Sequence, residues 1–307
     1  MKFFQQHVLD SIPCPSSLVP CPIATWVHDL DPVIYQFTET IAIRWYGLSY
    51  VAGFLIAFGL LGMYWKRGRS QVAPYMQESL AMSMILGVVI GGRLGYFLFY
   101  ETGNFLRDPL VFFRVWEGGM ASHGGFIGVT VAGLWVARKF KIPRLQLGDL
   151  VASVAAPGLM LGRLANFING ELWGKVSDVP WAVIFPQSAP AGMPVHLIEP
   201  RHPSQLYQAG LEGLLLLVYM QWRFWSVNRQ AQEGQPVSPS AAHGHLMAEF
   251  LIGYSILRWI GELFREPDAA LIMGMSRGSF YSLVLLAVGI GILVWIRRRR
   301  LTNGQSL

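Results

Sequence analysis

The chain is punctuated by apolar stretches of about 20 residues, the length an α-helix needs to cross the hydrocarbon core of a bilayer, and nothing else in the sequence constrains its fold as strongly. Such stretches lie near 44–65, 78–100, 122–138, 148–168, 204–223, 244–263 and 279–296. In lipid every backbone polar group must be satisfied within the protein, so each stretch is expected to be a helix. The 307 residues are 53% hydrophobic and 14% charged, against roughly a quarter charged in soluble domains. A soluble enzyme, a disordered regulator and a disulfide scaffold are excluded. The expected fold class is an all-α integral membrane protein, a seven-transmembrane-helix bundle with a small extracytoplasmic cap. Residues 1–43 read as an extracytoplasmic N-terminal tail, 44–296 as the bundle with its cap near 170–202, and 297–307 as a cytoplasmic tail. Pro157 falls within the fourth span, where a kink is expected rather than a break. No basic region runs into a short apolar core at the start, so no cleavable signal peptide is expected.

The formal charge of +6 would suggest nucleic acid as a partner of a soluble chain, but the basic residues cluster at the ends of apolar spans and read as topology signals. One side carries thirteen Lys and Arg: Lys66, Arg67 and Arg69, then Arg138 to Arg144, then Arg223 and Arg229, then the Arg297 to Arg300 run. The other side carries eight over far more loop. The thirteen-residue side is therefore expected in the cytoplasm, which puts the N-terminus outside and the C-terminus inside. The terminal run reads as a stop-transfer anchor.

Three basic residues remain, Arg93, Arg163 and Arg258, and all lie inside spans, where charge is costly and usually functional. Counted from Glu78, Asp149 and His245 at a helical rise of about 1.5 Å, their depths are roughly 22, 21 and 20 Å. Three guanidiniums at one level are expected to converge on a cavity near the outer leaflet. The planar fork of Arg suits phosphate or carboxylate, so an anionic phospholipid is the first candidate ligand. Two blander readings stay open: Arg93 snorkels or pairs with Glu78 or Glu101, and Arg258 pairs with Glu262 one turn on.

The fourth span leaves the membrane through Gly162, Arg163, Asn166, Asn169, Gly170, Glu171 and Gly174, an unusually polar exit in which Arg163 and Asn166 share a face. Before the third span, Ser122-His123-Gly124-Gly125 places a histidine at a glycine-rich helix start. Neutral imidazole is suited to proton removal, and a structural role is the alternative.

At these residues the chain resembles the phosphatidylglycerol–prolipoprotein diacylglyceryl transferases. The family signature Gly-Arg-x-(Gly/Ala)-Asn-Phe-x-Asn-x-Glu-x-x-Gly is met at every fixed position from Gly162 to Gly174. The resemblance extends over about 40–295, through Arg44-Trp45-Tyr46-Gly47, Gly91-Gly92-Arg93, His123-Gly124-Gly125, His202-Pro203-Ser204-Gln205 and Tyr254 to Asp268. The departures are a long N-terminal tail and Phe126 where Leu is commoner.

The resemblance implies an enzyme of the bacterial inner membrane, monomeric, that moves the diacylglyceryl group of phosphatidylglycerol onto the lipobox cysteine of a prolipoprotein signal peptide and releases glycerol phosphate. It implies Arg163 and Arg258 as the essential positive groups, with His123 and Tyr46 beside them in catalysis. Asn166, Glu171, Gly174, Tyr254, Glu262 and Arg93 are expected around the lipid. A thiolate attacking the glyceryl carbon would drive negative charge onto the bridging oxygen of the leaving phosphate, which preorganised Arg groups stabilise. No metal or cofactor is expected, because no Cys/His cluster has ligand spacing. The competing class is a transporter or channel for an organic anion, which would also use buried Arg and glycine-interrupted helices. The 175–201 stretch is expected to hold a strand or two, Asn228 to His243 to be a solvated linker, and Cys14 and Cys21 to be close enough for a disulfide.

Overall fold

A computed structural model describes residues 26–38, 42–114, 119–227, 243–267 and 271–302. Cys14, Cys21, Asp268 and the linker up to residue 242 lie outside these. The architecture is mainly helical. Ahead of the helices stand β1 (Trp26–Val27), β2 (Val33–Gln36) and β3 (Ala42–Arg44), and α1 (Trp45–Lys66) follows directly. Next come α2 (Pro74–Phe99), the short α3 (Thr102–Arg107) with a 3₁₀ turn at Pro109–Phe113, α4 (Ser122–Lys139) and α5 (Arg144–Ile168). After β4 (Val183–Ile184) a continuous helical run is built from α6 (Ser204–Gln208), a π-helical segment (Ala209–Leu215) and α7 (Leu216–Val227). The helices end with α8 (His245–Glu262) and α9 (Arg277–Thr302). Among the described residues, four helical stretches, Trp45–Lys66, Pro74–Leu98, Arg144–Ile168 and Arg277–Arg299, are long and apolar enough to cross a membrane.

The helix starts follow local chemistry. Pro74 occupies the first turn of α2, where its missing N–H costs nothing. The start of α8 is capped from another helix: Asp149 of α5 accepts from the Gly244 amide at 2.6 Å and the Met247 amide at 2.8 Å. A carboxylate there also complements the positive end of the helix dipole. Pro157 is accommodated inside α5, beside Gly158, whose Cα lies 3.1 Å from where a Cβ on Gly53 of α1 would stand.

The seam between α2 and α4 is made of glycine. Gly87, Gly91 and Gly95 recur at intervals of four along α2 and face Gly124 and Gly128 of α4. A Cβ on Gly87 would sit 2.6 Å from the Gly128 carbonyl oxygen, and one on Gly91 would overlap the Gly124 carbonyl. This close approach of backbones is the small-residue packing that drives helix association in lipid, where no hydrophobic effect separates helix from solvent.

Buried apolar residues gather toward the ends of the helices that carry the Lys and Arg clusters. Leu61, Tyr64, Leu80, Val136, Leu150, Leu216, Met220 and Phe224 form one cluster, and Tyr64 stacks on Phe224 at 3.8 Å. At the same ends Lys139 lies 4.7 Å over Trp135 and Arg299 4.1 Å over Trp295. Such pairs suit the membrane interface, where an amphipathic ring meets a cation.

Short strands accompany the helices: β4 falls in the 175–201 stretch where a strand or two was expected, and β1 to β3 add to it in the N-terminal segment. β1 pairs in parallel with β4, and β2 pairs antiparallel with β3. Residues from Trp26 onward are therefore a folded strap rather than a tail. His28 anchors it, with its backbone N–H bonded to Ile184 and its Nε2 2.6 Å from the Phe167 carbonyl. Two-residue strands leave no alternation to read, and the partner of β1 lies more than 150 residues away.

Candidate active site

The α6 to α7 run carries a buried stripe that is polar in its first half and apolar in its second. Ser204, Gln208, Glu212, Leu216, Met220 and Phe224 recur at every fourth residue and all are buried. In a pure α-helix an i+4 spacing overshoots a full turn by about 40°, so six such positions would wander to the opposite face. The wider π segment between Gln208 and Leu216 takes back part of that drift and keeps Glu212 facing inward.

Glu212 is the hub of the site. One carboxylate oxygen lies 3.3 Å from NH2 of Arg163 on α5, and the other accepts from NH1 of Arg258 on α8 at 3.1 Å. Arg258 also pairs with Glu262 at 2.5 Å, and Glu262 pairs with Arg265 at 3.1 Å. Ser276, just before α9, donates to the second oxygen of Glu262 at 2.7 Å. The result is an alternating chain, Arg163, Glu212, Arg258, Glu262, Arg265, with three positive and two negative groups. Its most open member is Arg163, whose side chain is 16% exposed against 7% or less for the others. Tyr254 lies on α8 one turn before Arg258, with its ring 6.1 Å from that of Phe250.

The signature turn is a folded unit at the end of α5. The Gly170 amide bonds to the Phe167 carbonyl and the Glu171 amide to the Asn166 carbonyl, with Gly170 at φ +65°, which closes the helix in a Schellman motif. Asn166 donates to the Glu171 carboxylate at 2.8 Å and Gln205 donates to the Glu171 carbonyl at 2.6 Å. Gly174 then threads between two other segments. Its amide bonds to the His202 carbonyl, and a Cβ there would stand 2.6 Å from the Phe264 carbonyl oxygen. Its glycine is thus explained by backbone approach. Tyr46 opens α1 with its ring 5.3 Å from that of Tyr50, which lies within electrostatic reach of Glu171. His123 stands in the first turn of α4, and its side chain lies outside the described residues.

Arg93 corrects the expectation of three converging guanidiniums. It is 2% exposed and donates to backbone carbonyls of the segment leading to α4: Nε to Phe112 at 3.0 Å, NH1 to Gly119 at 3.2 Å, and NH2 to Val111 and to Arg114. Its guanidinium also lies 4.7 Å over the Phe97 ring. Its hydrogen bonds go to this segment, whereas Arg163 and Arg258 meet at Glu212, so equal depth along a helix does not by itself mean convergence.

Two members of the chain escaped the sequence reading. Glu212 stands in the middle of an apolar run, and the signal was available: a carboxylate at that depth is as costly as an arginine. Arg265, inside the Tyr254 to Asp268 stretch but not among the expected site residues, is 7% exposed and bonded to Glu262.

A family model described as prolipoprotein diacylglyceryl transferase matches residues 32–295. The chain belongs to this family. A relative from Verminephrobacter eiseniae named phosphatidylglycerol–prolipoprotein diacylglyceryl transferase is 43% identical over 284 residues, covering 88% of this chain and 94% of the relative. Relatives of the same name from Ruegeria pomeroyi and Vibrio cholerae are each 41% identical, covering 85% and 89% of this chain and 94% of their own lengths. Membership of the prolipoprotein diacylglyceryl transferase family makes the chain an enzyme and supports the transferase reading over an anion transporter or channel.

Proposed function

We propose that the chain moves the diacylglyceryl group of phosphatidylglycerol onto the thiol of a lipobox cysteine in a prolipoprotein signal peptide, with glycerol phosphate as the leaving group. The observation that carries the mechanism is the pair of guanidiniums, Arg163 and Arg258, held on the two oxygens of one buried carboxylate, with Arg163 the most open member of the chain. A phosphodiester is the kind of anion that a planar fork can grip through two oxygens.

Arg163 and Arg258 are then the groups that touch the lipid phosphate, and Glu212 holds both in register from between them. A cysteine thiol is only a few per cent thiolate at neutral pH, so it must lose its proton before attack. The thiolate forms a bond to the glyceryl carbon as the carbon–oxygen bond to phosphate breaks, and the electron pair leaves on the bridging oxygen. The guanidiniums meet the charge growing there without having to reorganise, a contact worth roughly 3–4 kcal/mol of barrier. We assign proton removal to His123, with Tyr46 and Tyr254 lining the reacting region. Asn166, Glu171 and Gly174 shape the turn that keeps Arg163 in place, and Glu262 aims Arg258. Arg93 is a clamp on the segment that leads to His123.

This reading carries seven spans with the N-terminus outside, the 170–202 segment as a periplasmic cap, and a monomer in the bacterial inner membrane. A reporter inserted near Gln187 is expected to be periplasmic, and a cytoplasmic result would remove the site from the leaflet that signal peptides reach. The decisive assay is purified protein with phosphatidylglycerol and a lipobox peptide. Thioether-linked lipopeptide and glycerol phosphate are expected in equal amounts. Bound lipid with neither product would make the chain a lipid-binding protein instead.

A further inference from the structure

Beside the charge chain, one buried polar side chain has no task in the fold. Gln208, the last residue of α6, is 0% exposed, and neither its Nε2 nor its Oε1 has a hydrogen-bond partner among the described residues. A primary amide offers two donors and an acceptor with two lone pairs, and leaving both ends unmet in a low-dielectric interior is among the costlier things a membrane helix can do. Buried groups of that kind call for an explanation.

The surroundings of Gln208 supply one. Its Nε2 lies 3.7 Å, and Oε1 of Glu212 3.6 Å, from the point where a Cβ on Gly261 of α8 would stand. The amide and the hub carboxylate thus share the space that this glycine leaves free. One turn earlier on the same face, Gln205 is also 0% exposed. Its Nε2 is committed to the Glu171 carbonyl at 2.6 Å, while its Oε1 has no partner among the described residues. The two amides form a neutral polar ledge that runs from the signature turn to Glu212.

We infer that Gln208, with Oε1 of Gln205, binds the two hydroxyls of the lipid's glycerol headgroup and so selects that headgroup among phospholipids. The inference rests on the transferase reading, in which Arg163 and Arg258 hold the phosphate. The phosphate joins an apolar diacylglyceryl side to a polar headgroup, and the headgroup needs neutral partners that both give and accept hydrogen bonds. A hydroxyl does both, and so does a primary amide. An ammonium headgroup only donates, so it can use the amide oxygens of the ledge but leaves the Gln208 N–H donors unmet, and the ledge therefore favours a diol.

The test compares phosphatidylglycerol with phosphatidylpropanol, which keeps the phosphodiester and acyl chains but lacks the two hydroxyls. The unsubstituted protein is expected to prefer phosphatidylglycerol by about ten-fold or more in kcat/KM, since a site built to pair a hydroxyl rejects the analogue without it. Gln208→Leu, close in size and free of the unpaired amide, is expected to lose about ten-fold on phosphatidylglycerol and to bring the ratio of the two lipids to near one. Turnover of phosphatidylpropanol reports that the variant is folded, and Gln208→Met is read in the same way. An unchanged ratio overturns the inference, as does an equal fall on both lipids, which is the mark of a structural residue. If the unsubstituted protein turns over neither lipid, the transferase reading itself fails and the headgroup assignment goes with it.

Discussion

Arg93 on α2 and Arg163 on α5 are both guanidiniums inside apolar helices, and they are held in opposite ways. Arg93 is wrapped by four backbone carbonyls and an aromatic face, so its donors are engaged with the segment that leads to α4. Arg163 has one ion pair, at 3.3 Å, with a carboxylate that Arg258 also holds. The first arrangement fastens a loop, and the second keeps a cation in place while leaving its fork available. Burial and charge alone do not separate a clamp from a ligand. The number and kind of partners do.

The largest expected effect tests the open end. Arg163→Lys keeps the charge but not the planar fork, and turnover should fall about 100-fold or more while the unfolding midpoint in detergent barely moves. A near-normal rate would reduce Arg163 to a source of field. Arg93→Lys should show the reverse signature. Three donors on a short ammonium cannot serve all four carbonyls, so stability should drop by about 2–3 kcal/mol, seen as a lowered unfolding midpoint, with little change in the rate of the protein that remains folded. A stable Arg93→Lys protein that does not turn over would return Arg93 to the site.

Between these extremes lies Arg258, whose partner Glu262 is itself held by Arg265 and Ser276. Glu262→Gln should slow turnover about ten-fold by letting Arg258 drift, and Arg258→Ala should abolish it. The double variant should be no worse than Arg258→Ala alone. Restored activity in the double variant would mean that the pair only neutralises buried charge.

The smallest effect concerns a basic group that the fold keeps neutral. Burial, with the nearby Lys175 ammonium adding to it, holds the His202 pKa below its ordinary value. Its stabilising share is therefore present above about pH 6.5, where the unfolded chain is also neutral, and is lost as pH falls toward the folded pKa. Unfolding midpoints measured between about pH 7 and 5 should decline slightly, and His202→Gln should flatten that slope. An identical slope in the variant would place the acid sensitivity elsewhere.

The contrast also explains what could be read in the sequence. Helix positions were legible because the length of an apolar run is a local property: the stretch marked near 44–65 is helical over Trp45–Lys66, and that near 148–168 lies within Arg144–Ile168. The Arg258–Glu262 contact was legible for the same reason, being one helical turn long. Glu212 is a lone carboxylate in an apolar run, and the two arginines it joins lie 49 and 46 residues away in sequence. The partners of Arg93 were beyond reach because carbonyls carry no sequence label. The β1–β4 pairing and the burial of Arg265 depend on segments that meet only after the bundle has assembled.

The glycine seam between α2 and α4 has a mechanical consequence. An interface filled by side chains can open a gap by turning a few rotamers, at modest cost and in nanoseconds. Where Gly87, Gly91, Gly124 and Gly128 meet there is no side chain to turn, so the two helices can part only along their whole length together. They form a wall rather than a door. On the proposed function, acyl chains bound for Arg163 and lipidated peptide leaving it would travel past other pairs of helices, where side chains rather than backbones form the contact.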